Sequence, residues 1–349
     1  MSHSGKGWEK MLILTEGRTD RYDAKAAVGI IRYRGAEVVG LLDSENVGKD
    51  IEPLLGVGKG VPVVADVASA LALGPRTFVI GIAPRGGAFP AEWRRHVLDA
   101  LEAGLDVVSG LHDFLGDDAE FAEVAARTGS SIFDLRRPRD GIPVGANRAA
   151  ELSTPRLLTV GSDCNIGKMH AALELQGELV RRGRDVDFVA TGQIGIMISG
   201  RGVPIDHVLS DFVAGCVEQE LLDRAGEGHE LFIVEGQGAV THPGFSAVTV
   251  GLIHGSAPDA MILCHNPLRT EQRGGGAIPP LSELVALHEA LCRHVHGAKV
   301  IAVSLNCGEM DDAGARAAVE LAQAETGLPA TDPVRFGPAP LADAVEGIL

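Results

Sequence analysis

Aromatic residues are scarce: two tryptophans, two tyrosines and ten phenylalanines make up 4% of 349 residues. A platform of stacked rings for single-stranded nucleic acid is therefore not expected. Basic residues are also in deficit, with 31 lysines and arginines against 47 acidic residues and a formal charge of −16. A duplex-binding face needs the opposite balance, so no nucleic-acid partner is expected. A small anion held by a local cluster of arginines and amides stays open. No C-x-x-C occurs, and the five cysteines (Cys164, Cys216, Cys264, Cys292 and Cys307) are odd in number and far apart. That excludes a zinc ribbon and points to a reducing compartment. No apolar run of about 18 residues is present, so no membrane span is expected. The N-terminal "MSHSGKGWEK" has no apolar core of a signal peptide. The expectation is a cytoplasmic, soluble protein without a membrane partner, and a homo-oligomer, as many α/β enzymes are.

What the chain does have is 45% hydrophobic residues, arranged as short apolar runs alternating with helical patterns. Strands are expected at residues 11–15, 37–43, 61–66, 77–83, 106–110 and 131–136. Helices are expected between them, at 23–33, 91–103 and 119–128. A stretch rich in Pro, Gly and charge, residues 137–154, reads as a linker. A second alternation follows, with strands at 156–162, 185–191, 230–238, 259–266 and 299–307 and helices at 168–182, 207–225 and 281–295; a short strand and a closing helix end the chain. Continuously apolar strands alternating with helices mean parallel sheets covered on both faces. The fold class is α/β, with a Rossmann-like domain over residues 1–145 and a P-loop NTPase-like domain over 146–349. The first domain has one glycine, Gly17, after its first strand and no G-x-G-x-x-G turn, which argues against a dinucleotide site. Asp43, after the second strand, reads as a ribose-binding acid or as a cap.

The most informative segment is "LLTVGSDCNIGKMH", residues 157–170. A buried strand enters a loop of small and polar residues, Gly161, Ser162, Asp163, Cys164, Asn165, Ile166 and Gly167, and leaves through Lys168 and Met169 into a helix. This is the strand–loop–helix setting of a phosphate loop, whose amides and helix N-terminus attract an anion. The bland alternative is a tight glycine turn. Ser stands at position 162 where the strict G-x4-G-K-[ST] pattern has glycine, and Met169 stands where it has the hydroxyl that holds Mg²⁺. A thioether is a poor ligand for a hard cation, so anion binding without an obligatory metal is expected. The spacing also resembles the loop of dethiobiotin synthetase-like enzymes, which keeps an ATP-dependent kinase or ligase open. Cys164 is either a nucleophile activated by the helix N-terminus or a small filler.

Other strand ends carry further candidates. "LFIVEGQGAVTHPG" places Glu235, Gln237 and His242 after an apolar strand, as acid–base and substrate groups or as a loop cap and a surface histidine. Thr191 and Gln193 form a small polar turn after another strand. Arg269 and Arg273, in "CHNPLRTEQRGGG", suit a carboxylate or phosphate, or are merely solvated. Asn306, next to last in "VSLNC", stands where related P-loop folds often read a purine edge. His294 and His296 have no acid or thiol at ligand spacing, and no metal site is expected.

Taken together, "GSDCNIGKM", "ATGQIGIMISGRGVPIDHVLSDFVAG", "VEGQGAVTHPGFSAVTVGLIHGSAPDAMILCHNP" and "LLDSENVGKD" resemble a two-domain family long catalogued as a domain of unknown function and associated with D-glutamate N-acetyltransferase activity. The resemblance covers residues 10–345. It implies a Rossmann-like and a P-loop domain, acetyl-CoA as donor and the amino group of D-glutamate or a similar amino acid as acceptor. Methionine after the loop lysine is a trait of that family. From their positions in this sequence, and not from residues recorded for the family, Glu235 or His242 is the expected base. The 161–169 loop and Asn306 are expected at the coenzyme, and Thr191, Gln193, Gln237, Arg269 and Arg273 at the acceptor.

Overall fold

A computed structural model describes residues 8–84 and 86–349. Residues 1–7, part of the N-terminal stretch read above for a leader, lie outside them. Two compact units form. The first takes the chain up to Arg139 together with Gln193–His207; the second takes Asp140–Gly192 and Val208–Leu349.

The first unit runs β1 (Met11–Leu14), α1 (Lys25–Arg34), β2 (Val38–Leu42), α2 (Glu52–Leu55), β3 (Val63–Val64), α3 (Val67–Ala70), β4 (Thr77–Ile80), α4 (Arg94–Glu102), β5 (Asp106–Ser109), α5 (Ala119–Thr128) and β6 (Ile132–Asp134). Its strands pair in parallel in the order β3-β2-β1-β4-β5-β6, the order of a Rossmann-like sheet. Residues Met11 to Leu14 are all buried, as strands covered on both faces must be. Asp43 is a cap: its carboxylate accepts from the amides of Gly17 and Glu45 and from Asn46.

The second unit holds β7 (Arg156–Gly161), α6 (Lys168–Arg181) and β8 (Val186–Val189). The next helix, α7 (Gln193–Ser199), belongs to the first unit. The second unit then resumes with α8 (Val213–Arg224), β9 (Leu231–Val234), α9 (Ser246–Ser256), β10 (Ala260–His265), α10 (Leu281–Cys292), β11 (Lys299–Leu305), α11 (Asp312–Thr326), β12 (Ala330–Thr331) and α12 (Ala339–Glu346). Its parallel order, β12-β11-β10-β7-β9-β8, puts β7 among the central strands. Both sheets are α/β, as the alternation predicts.

Three local differences from the sequence reading have physical causes. The helix expected over 207–225 begins only at Val213, because Pro204 and Leu209 open separate tight turns before it. The stretch 137–154 is no free linker. The amides of Ala146 and Arg148 donate to the fully buried Glu218 carboxylate (3.2 and 2.5 Å), and Arg148 Nε adds a bond of 3.0 Å. Helix α9, "SAVTVGLIHGS", has no polar stripe. It packs close to α8, where a side chain at Gly251 would meet Val213 at 2.3 Å. At the base of β7 the buried Arg156 guanidinium donates to the carbonyls of Ala257, Leu152 and Thr154 and pairs with Asp259.

His288 in α10 is fully buried. Its Nδ1 bonds the Leu284 carbonyl at 2.7 Å and its Nε2 has no partner among the described residues. Burial pushes its pKa down to about 4 from 6.5. The neutral ring is therefore favoured by folding, and the unfolded chain binds the extra proton first. Stability is full above pH 6.5 and falls by about 3 kcal/mol as pH drops towards 4. The urea midpoint at pH 4.5 against pH 7 checks this, and His288→Leu is expected to show a shallower pH dependence.

Candidate active site around the anion loop

β7 is buried along its whole length and delivers the chain at Gly161. The loop then bends through two left-handed residues, Asn165 (φ +52°) and Gly167 (φ +105°), into α6. Among the described residues nothing accepts a hydrogen bond from the amides of Cys164 through Met169. A row of uncommitted N–H groups at a helix N-terminus is an anion cradle. Lys168 is 6% exposed, and its Nζ donates to the carbonyls of Asp163 (2.7 Å) and Gly238 (2.8 Å). Burial draws its pKa below the ordinary lysine value. Met169, half-buried, stands at the first turn of α6 where a metal-holding hydroxyl is absent.

The remaining loop residues are held from behind. Arg269 NH1 donates to the Asp163 carboxylate (2.8 Å) and the Cys164 carbonyl (2.7 Å), and NH2 donates to the Asn165 carbonyl (3.1 Å). This arginine staples the loop. The Arg273 amide donates to the same Asp163 oxygen at 3.1 Å, while the Arg273 side chain is exposed and makes no ion pair among the described residues. Ser162 Oγ lies 2.8 Å from His265 Nδ1, and Ile166 is buried as the loop's anchor. The Cys164 thiol pKa is raised by burial, which outweighs the nearby lysine and arginines. A thiol held protonated is a poor nucleophile, which favours the filler reading of Cys164 over the nucleophile. Asn306 flanks the loop, its Cβ 3.5 Å from where a side chain on Gly167 would begin.

On the β9 side, Glu235 is buried and its Oε2 accepts from the amides of Thr191 (3.0 Å) and Gly192 (3.2 Å). Thr191 Oγ1 returns a bond to the Glu235 carbonyl at 2.7 Å. Glu235 Oε1 faces Gln237 Nε2 at 3.4 Å. The structure thus brings Thr191, Glu235 and Gln237 together. Gln193 lies in the first unit, packed on Gly110.

His242 is buried. Its Nδ1 accepts from the Gly244 amide at 3.0 Å, which puts the ring proton on Nε2, and Nε2 donates to the Arg273 carbonyl. Both nitrogens are committed, and His242 holds the 269–273 loop in place without a lone pair for a substrate proton. The ligating atoms of Asp163, Cys164 and His242 lie within 4.8 Å of one another. The His242 tautomer directs a proton, not a lone pair, into that cluster, and this donor set does not fit a metal ion.

Sequence reasoning missed Thr159, whose Oγ1 accepts from the Gly236 amide at 2.8 Å. It also missed Gln272, which is buried and bonds the Ser162 carbonyl and Thr241. Thr159 has a signal, a lone polar residue inside a buried strand run; Gln272 has none.

Two family models match the chain: a domain of unknown function described as a Rossmann-like domain over residues 44–138, and one described as a P-loop domain over residues 143–342. A curated relative from Tritonibacter scottomollicae, named D-glutamate N-acetyltransferase, is 38% identical over 334 residues, spanning 94% of this chain and 96% of the relative. A second protein of that name, from a Pseudoalteromonas species, is 37% identical over 274 residues, spanning 78% and 81%. The solved structure of a DUF1611 family protein from Anabaena variabilis ATCC 29413 superposes with a TM-score of 0.90 at 36% identity, covering 97% of this chain and 99% of that one. With both domain models matched in order, and a relative this similar over nearly its full length, the chain belongs to the DUF1611 family, a Rossmann-like domain followed by a P-loop domain.

Proposed function

We propose that the chain is an N-acetyltransferase that moves the acetyl group of acetyl-CoA to the amino group of D-glutamate or a similar amino acid. The names of two relatives at 37–38% identity support it. The structural observation that carries it is the anion cradle that has Lys168 and uncommitted amides but Met169 in place of the metal-holding hydroxyl. Such a cradle suits a phosphate-bearing donor that is not hydrolysed at its phosphates.

The amides of residues 164–169 and Lys168 hold the coenzyme phosphate. Glu235 Oε1, the carboxylate oxygen not committed to the amides of Thr191 and Gly192, receives one proton from the acceptor's ammonium group. The amine then attacks the thioester carbonyl carbon, the C–S bond breaks, and the coenzyme leaves as a thiolate that takes up the second proton shed by the attacking nitrogen as it becomes an amide. Gln237 steadies Glu235, and the exposed Arg273 guanidinium receives an acceptor carboxylate. All five cysteines are free thiols, which supports a cytoplasmic enzyme, and no helix among the described residues is long and apolar enough to cross a membrane. A homo-oligomer is part of the proposal.

Release of free thiol from acetyl-CoA, measured across D- and L-amino acids with and without EDTA, tests it. D-glutamate is expected to drive release that EDTA leaves unchanged. A requirement for Mg-ATP would overturn direct transfer in favour of an ATP-dependent ligase.

A further inference from the structure

β7 separates two sides of the second unit's sheet. Glu235 follows β9 on one side; β10 and β11 lie on the other. At the ends of those two strands is a slot of about 280 Å³. Its walls are mostly apolar, including Pro279, Leu305 and Leu321, and its polar residues are few: His265, Arg269, Thr270 and Glu325. Leu321 is 67% exposed, an apolar side chain left facing water beside an apolar slot. Burial pushes the His265 pKa down to about 4, so this ring presents a flat, uncharged surface at neutral pH.

Two residues that line the slot also hold the anion loop. The Ser162 hydroxyl meets His265 Nδ1 at 2.8 Å, and the Arg269 guanidinium that lines the slot also bonds the carbonyls of Cys164 and Asn165. A whole drug-sized ligand needs on the order of 300–1,000 Å³; this slot takes one flat ring system of a longer molecule. An apolar slot with a few polar groups, sharing a wall with a phosphate cradle, has the chemistry of a site for a heteroaromatic base tethered to phosphate.

We infer that the slot takes the adenine end of the coenzyme, with the phosphates on the loop amides and the thioester arm crossing β7 towards Glu235. This rests on the acetyl-CoA assignment proposed above, and it fixes which way the donor lies: base over β10 and β11, reacting end over β9 and β8.

Leu321→Trp fills the slot from an exposed position, where the larger ring leaves the core undisturbed; an unchanged thermal melting curve serves as the folding control. Titration calorimetry with coenzyme A, adenosine 3′,5′-bisphosphate and ATP reads the effect. Coenzyme A and the bisphosphate are both expected to bind Leu321→Trp at least about 10-fold more weakly than wild type, by the same factor, because the loss lies at the end they share. Equal coenzyme A affinity in variant and wild type overturns the slot while leaving acetyl transfer standing. Wild-type protein that releases no thiol from acetyl-CoA, yet loses bisphosphate or ATP affinity on Leu321→Trp, overturns the acetyl-CoA assignment and keeps the slot as an adenosine site.

Discussion

Lys168→Ala is expected to weaken coenzyme A binding about 100-fold, read by calorimetry, and to lower kcat/KM for acetyl-CoA at least as much. The lysine does two jobs. Its ammonium group bridges the carbonyls of Asp163 and Gly238, tying the anion loop to the turn after β9. It also places a positive charge at the cradle, favoured there by Asp163 and Glu235 against the cost of burial. Removing it leaves two carbonyls without their donor, at about 1–3 kcal/mol of stability, and removes the charge that a phosphate needs. Lys168→Met loses the bridge and the charge together but keeps the packing, and so separates the side chain's bulk from its ammonium group. The methionine keeps most of the stem that packs beside Gly236, so its urea stability should lie closer to wild type than that of the alanine variant. Its affinity loss should match the alanine variant's. Unchanged affinity in both would take the loop out of coenzyme binding altogether.

The loop that this test addresses was legible because its signal is local. A buried strand, two glycines and a lysine opening a helix lie within "LLTVGSDCNIGK", and the structure has β7 and α6 there. The helix Ala119–Thr128 is legible to the residue for the same reason: Asp118 caps its first amides and Gly129 ends it in a left-handed turn. What the sequence hides is which unit an element packs into. Nothing in "QIGIMIS" marks α7 for the first unit, because its apolar face would serve either core. Helix α9 is hidden because Val, Thr and Gly are weak helix formers, overridden by close packing on α8. In the site, residue types are legible and directions are not. Arg269 and His242 are where a reader expects ligand groups, yet their hydrogen bonds are spent on the protein's own loops. Glu235 gives one oxygen to two amides from the β8 end and turns the other towards Gln237, a direction that no residue type announces.

Gly236→Ala is expected to destabilise the fold by at least about 3 kcal/mol and to remove activity, the largest effect of any single methyl group at the site. A Cβ at position 236 would stand 1.6 Å from the Thr159 carbonyl oxygen and 2.7 Å from its carbon. Both atoms are backbone of β7, so no side chain can swing aside. Relief requires the end of β9 to move away from β7. That breaks the bond from the Gly236 amide to Thr159 Oγ1, and it shifts the Gly238 carbonyl off Lys168 and the Glu235 carbonyl off Thr191. Gly192→Ala makes a useful contrast: its Cβ would meet the Gln237 side-chain nitrogen at 2.5 Å, a flexible group that can turn away. That variant should fold well while losing the Gln237–Glu235 contact. Gly177→Ala supplies the opposite sign. This glycine sits exposed within α6 with nothing within 4 Å of the added carbon, and alanine there should stabilise by about 0.5–1 kcal/mol. Urea midpoints for the three variants, with thiol release for each, order them as Gly177→Ala above wild type, Gly192→Ala slightly below and Gly236→Ala far below. A Gly236→Ala protein as stable and active as wild type would mean that the two strand ends do not approach as closely as the site requires. Glu235 and the anion loop would then have no common frame.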